Sequence, residues 1–157
     1  MLPTYQGNVI YPSVKQDPEA DAVLQQLSSG RLWVVNSRRR NGLVIFKRFH
    51  AEFAGPGAAV GGVFDANCTG VIPLGKLSLI QPEAHADQQK ALRIRLQWVR
   101  LTQNFTDRPV PVERAQMILE QFKMYFDQEI VDQVPDEAFS LLVGVFPQTV
   151  RLARQGM

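Results

Sequence analysis

The chain holds one cysteine, Cys68, and two histidines, His50 and His85, among 157 residues. A lone thiol excludes an intrachain disulfide, and a thiolate zinc site would need ligands that the chain lacks. The two histidines stand far apart in sequence, so neither a histidine-rich metal centre nor a bound cofactor is expected. No run approaches the roughly 18 apolar residues of a membrane-crossing helix. The opening stretch MLPTYQGNVIYPSVKQD has neither a basic head nor an apolar leader core. The expectation is a cytoplasmic protein without membrane insertion. Internal repeats and low-complexity tracts are also missing, and two histidines, one thiol and scattered acids assemble no nucleophile, base and orienter. An enzyme is therefore not expected.

What is present is enough apolar material, 45% of the residues, for the core of a single domain spanning 1–157. The formal net charge of +2 hides a segregation. Residues 1–29 carry −2, residues 30–103 carry +7 and residues 104–157 carry −3. A basic middle and an acidic tail fit either an anionic partner for the middle or mutual neutralisation of the two parts.

Residues 1–30 read as an arm, with a short extended stretch at 8–11, leading into a helix that starts at Pro18 and stops at Gly30. From Arg31 the apolar period becomes two. Strands are expected at 32–37, 42–53, 63–65, 71–80 and 91–102. Both faces of 42–53 are partly apolar, which marks a central strand. Pro73 marks an edge or bulge. The glycine-rich residues 54–62 read as a hairpin loop, because they lack the Lys-Ser/Thr of a phosphate loop and the spacing of a dinucleotide loop. In 91–102, Leu92, Ile94, Leu96 and Trp98 alternate with Arg93, Arg95 and Gln97. After Pro109 and Pro111 the period turns helical. Ala115, Ile118, Leu119, Phe122, Phe126 and Ile130 share one face of a helix over about 112–131, and a second helix opens at Pro135 and breaks near Val145 and Phe146, ahead of Pro147. The fold class is α+β: a small antiparallel β-barrel or strongly curved sheet over 31–103, followed by two C-terminal amphipathic helices over 108–157.

The dense cationic run is Arg38, Arg39 and Arg40, with no acid between positions 31 and 51. Guanidinium forks suit phosphate oxygens and stack on flat bases. An arginine-rich segment ahead of a strand, then the turn Asp65-Ala66-Asn67-Cys68-Thr69-Gly70, then an apolar strand, resembles the PilZ family of cyclic di-GMP receptors. That family pairs an R-x-x-x-R segment with a [D/N]-x-S-x-x-G turn on a small β-barrel. Asp65 and Gly70 match the turn, and Asn67 stands where the family has serine. No two arginines of this segment are four apart. The resemblance spans residues 31–102 and implies a cyclic dinucleotide or other anionic ligand, gripped by Arg38, Arg39 and Arg40. Asp65 and Asn67 would contact base edges and Gly70 would shape the turn.

The functional expectation is a non-catalytic regulatory module, binding an anionic nucleotide or serving protein contacts. One alternative is a protein-interaction subunit that docks its partner through Met124, Tyr125 and Phe139. Another is an RNA-binding barrel that uses Arg93, Arg95 and Arg100 beside an aromatic such as Phe46.

Overall fold

The structure, a computed structural model, describes residues 17–156, so the extended stretch expected at 8–11 lies outside the described residues. Helix α1, Pro18–Ser28, begins as the sequence predicts. The Asp17 carboxylate accepts a hydrogen bond from the Ala20 N–H at 2.7 Å, and Pro18 occupies the first turn, where its missing N–H costs nothing. Gly30 follows with φ +87°, the left-handed conformation that turns the chain towards the first strand.

Two open three-stranded antiparallel sheets come next. One has the order β4-β1-β6, from Leu32–Val35 (β1), Ala59–Gly61 (β4) and Leu79–Ile80 (β6). The other has the order β3-β2-β5, from Gly42–Phe46 (β2), Ala51–Ala54 (β3) and Gly70–Leu74 (β5). β2 is the central strand of its sheet, and Pro73 lies on the edge strand β5, where a residue without an N–H is tolerated. The long strand expected over 42–53 is a β2–β3 hairpin instead, registered Val44 opposite Phe53 and Phe46 opposite Ala51. Residues 54–62 are not a hairpin loop. β3 pairs with β2 while β4 pairs with β1, so the glycine-rich stretch carries the chain from one sheet to the other. Residues 63–65, expected to be extended, belong to a single turn of 3-10 helix at Gly62–Asp65.

The largest departure is residues 91–102. They lie inside α2, His85–Thr106, a 22-residue helix. The fold class is α+β, as expected, with six helices among the described residues, but the strand that would have helped close a barrel does not exist and neither sheet closes. The alternation that suggested a strand breaks down in burial: Leu96 is 45% exposed, whereas Ile94 and Trp98, one helical turn apart, both pack on the core. Gly55 marks where the helix crosses the passage between sheets. A Cβ there would come within 2.4 Å of the Trp98 ring.

The C-terminal part is four helices rather than two: α3 Pro111–Tyr125, α4 Gln128–Gln133, α5 Asp136–Val143 and α6 Pro147–Gln155. Phe126 leaves helical geometry with φ −130° and ψ 152°, which divides the expected 112–131 helix. The break ahead of Pro147 is found, with Gly144 left-handed at the end of α5. Arg154 of α6 donates to the carbonyls of Val131 and Val134 and to Asp136 Oδ1 at 2.7 Å, so α6 satisfies the end of α4.

β2 explains the two apolar faces read from its sequence. Val44 and Phe46 point into a core shared with α3, α5 and α6, while Leu43 and Ile45 point into a second core shared with α1 and the β1 sheet. The first core is rich in rings. Phe122 sits 4.8 Å from Phe53 and 5.0 Å from Phe139, centroid to centroid, and is 2% exposed. Phe122→Ala is expected to cost about 3–5 kcal/mol through the cavity it leaves. Urea unfolding of the purified variant measures that loss, and an unchanged midpoint would contradict this placement.

Candidate functional site

At the far end of β2 from the arginine run, the chain gathers four charges, three of them buried and Glu52 half-buried. Asp65, fully buried, is placed by the 3-10 turn. Arg95, on the inner face of α2, grips it with both terminal nitrogens, Nη1 to Oδ2 at 3.0 Å and Nη2 to Oδ1 at 2.9 Å. Lys47, just past β2, donates to Oδ1 at 2.9 Å, and the Gly61 N–H donates to Oδ2 at 2.7 Å. Glu52 of β3 accepts from Arg95 Nη2 at 2.7 Å with one oxygen, and its other oxygen lies 2.9 Å from His50 Nε2. The cations also donate to carbonyls and an amide, Arg95 to Ala59 O, and Lys47 to Phe64 O and to Asn67 Oδ1 at 3.1 Å, while the buried Arg95 Nε has no partner among the described residues. Two cations and two carboxylates make the group neutral, which is the condition for burying it at tolerable cost.

Burial pushes both carboxyls upward, but the partners outweigh it. Hydrogen bonds from His50 and Arg95 and the charges of Arg95 and Lys47 hold Glu52 below its ordinary range. Arg95, Lys47 and the Gly61 N–H do the same for Asp65. Burial and the Asp65 charge push the Cys68 thiol up, away from the reactive thiolate.

The sequence-predicted site residues are divided by this arrangement. Arg38, Arg39 and Arg40 occupy the exposed turn between β1 and β2. Buried Asn41 shapes that turn: its Nδ2 donates to Asn36 O at 2.9 Å and Arg39 O at 3.1 Å, and its Oδ1 accepts from the Ser78 N–H at 3.0 Å. Asp65, Asn67 and Gly70 lie at the other end of β2, and Gly70 pairs with Phe46. Four strand steps, about 13 Å, separate the two groups. The Asp65 oxygens are engaged by Lys47 and Arg95 and are buried, whereas Asn67 gives its Oδ1 to Lys47 from an exposed position, so of the turn that resembles the PilZ motif Asp65 is internal. Phe139, expected on a docking surface, is fully buried, whereas Met124 is 72% exposed. Arg95, expected to face outward on a basic strand, is 3% exposed on a helix.

Two clefts flank the sheets. A groove of about 1040 Å3 has Arg39, Arg40 and Lys76 on its wall, Glu19 and Asp127 among its acids, and Val71, Ile72, Leu74 and Ile130 as apolar lining. A smaller cleft of about 380 Å3 lies against β3, α2 and α5, with Glu52 and His50 on its wall. Among the described residues no group of three or more His, Cys, Asp or Glu side chains is arranged to hold a metal ion, and no helix is long and apolar enough to cross a membrane.

Sequence reasoning did not assign Lys47, Glu52 or Asn41 to a site, and it placed Arg95 on the outer face of a strand. A signal for Arg95 existed: residues 84–107 contain neither glycine nor proline, and Ala91, Arg95, Trp98, Thr102 and Phe105 recur at helical spacing.

Because Glu52 and Asp65 are held below their ordinary range in the folded protein, the unfolded chain binds more protons in acid. Their contribution is complete above the unfolded carboxylate range and is lost as pH falls through the lower folded values. Stability against urea is expected to be flat from about pH 7 to about pH 5 and to decline below that. The gap between the parent and Glu52→Gln is expected to narrow in the same interval. A gap that stays constant down to about pH 3 would show that Glu52 titrates as an ordinary exposed carboxyl.

In comparison with known proteins, no family model, curated protein or solved structure matches this chain.

Proposed function

We propose that the protein is a non-catalytic regulatory or assembly module, and that the groove beside β5 receives an extended segment of a partner protein. The observation that carries this reading is the coincidence, in one groove, of an apolar lining with cations that have no carboxylate within ion-pair distance among the described residues: Arg39, Arg40 and Lys76. Glu19 and Asp127 are likewise free of internal ion pairs among the described residues, so the groove carries both signs of charge. A ligand bearing only negative charge meets repulsion there, whereas a peptide that presents an acidic residue to the arginines and apolar residues to Ile72 and Leu74 meets complementary chemistry throughout. Asn41 holds the arginine turn from beneath, so the cations are presented on a braced backbone.

A second reading, the anionic nucleotide, retains Arg38, Arg39 and Arg40, which have no ion pair among the described residues. It loses Asp65, whose oxygens are occupied inside the protein.

Selection of a displayed random peptide library on the immobilised full chain tests the proposal, followed by calorimetry of the enriched peptide and of cyclic di-GMP. The expected result is enrichment of sequences that combine acidic and apolar residues, with affinity lowered about 10-fold or more by the double substitution Arg39→Glu and Arg40→Glu. Peptides that bind parent and variant equally would remove the groove from the site. Cyclic di-GMP binding below about 1 μM would transfer the function to the nucleotide reading.

A further inference from the structure

The smaller cleft has a one-sided hydrogen-bonding wall. Three hydroxyls line it, and each spends its proton on a backbone carbonyl: Thr102 on Trp98 O at 3.2 Å, Thr106 on Gln103 O at 2.7 Å and Ser140 on Val145 O at 2.5 Å. A hydroxyl whose proton is committed offers only lone pairs to anything else. Glu52 adds a carboxylate. Its Oε2 lies 2.9 Å from His50 Nε2. Gln103 supplies the one amide donor among the lining side chains, and no lysine or arginine lines the cleft. The rest of the wall is apolar, including Val99, Leu141 and Val145.

We propose that this cleft is a binding site for a small aliphatic primary amine, its ammonium group donating to Glu52 and the lining hydroxyls and its alkyl body lying against Val99, Leu141 and Val145. An ammonium carries three donors and no acceptor, which is the complement of this wall. Arg95, behind Glu52, keeps the carboxylate ionised and fixed without entering the cleft, so the site is formed before the ligand arrives. The volume of about 380 Å3 falls in the range of small-molecule pockets and accommodates an alkyl chain of several carbons. An anion is disfavoured by the same geometry, because it would face the Glu52 carboxylate and three hydroxyls whose protons are committed. This site is separate from the groove beside β5, and its occupancy does not depend on the peptide reading.

The probes are n-hexylamine, 1-hexanol and hexanoate, titrated into the isotopically labelled full chain and followed by backbone amide NMR shifts. n-Hexylamine is expected to shift the amides of Thr102, Gln103 and Leu141, with 1-hexanol weaker and hexanoate inert. Glu52→Gln is expected to weaken the amine about 10- to 100-fold, the loss that accompanies one charge-assisted hydrogen bond. Since Glu52 also braces Arg95, Leu141→Trp serves as the second variant: it fills the cleft, leaves the charge cluster intact and is expected to abolish the shifts. Equal binding of amine and alcohol, binding of hexanoate, or amine shifts that persist in Leu141→Trp would overturn the proposal.

Discussion

A carboxylate with no solvent contact must find its full complement of donors or give up its charge, and Asp65 finds four hydrogen bonds from three places in the chain. The turn that carries it follows β4, the Gly61 N–H comes from β4 itself, Lys47 from the end of β2 and Arg95 from α2. One carboxyl group thereby fixes the relation between the two sheets and the long helix. Burying such a cluster is not by itself stabilising, since apolar side chains of similar volume do as well. Removing one member is costly, because the others stay behind without partners. The cluster thus acts on specificity: arrangements of sheet and helix that separate Asp65 from Arg95 strand a buried charge.

Around that constraint the apolar packing follows. β2 is buried on both faces, with the phenylalanine-rich core on one and the α1 core on the other. α2 touches both, since Ile94 packs on the α1 side, Trp98 on both and Phe105 on the helical side. Burial of these side chains supplies the bulk of the stability, at roughly 25 cal/mol per Å2 of apolar surface removed from water. The clefts are what this packing leaves open. The groove beside β5 has the Asn41-braced arginine turn on its wall, and the smaller cleft has Glu52 on its wall, the cluster's partly exposed member.

Much of the local structure was legible in the sequence. Pro18 and Gly30 bracket α1, the two apolar faces of 42–53 mark a central strand though not its end at Phe46, Pro73 marks an edge, and Pro147 forces the break between α5 and α6. Helix α2 was obscured because Leu92, Ile94, Leu96 and Trp98 happen to alternate, and a four-residue alternation outweighed a longer stretch free of glycine and proline. Tertiary packing decided it: the helix buries Ala91, Arg95, Thr102 and Phe105, a set that a strand would place on opposite faces. The site was less legible for a different reason. Arg95 meets Asp65 across 30 residues and Glu52 across 43, and no local pattern encodes such a pair. The neutral cluster leaves the +7 balance of residues 30–103 unchanged, but two of its eleven cations, Lys47 and Arg95, are internal and meet no outside partner. The same burial removes Asp65 from the ligand role that the PilZ-like turn implied, while leaving Arg38, Arg39 and Arg40 at the surface.

The most direct test of the charge cluster as the organising constraint is a double-mutant cycle on Asp65 and Arg95, read by urea unfolding at neutral pH. Asp65→Asn and Arg95→Met are each expected to cost about 3–5 kcal/mol, the loss seen when one partner of a buried pair is removed. The double variant is expected to lose less than the two together, with a coupling of about 1–3 kcal/mol. Strictly additive losses, or single losses below about 1 kcal/mol as for an exposed pair, would contradict the account.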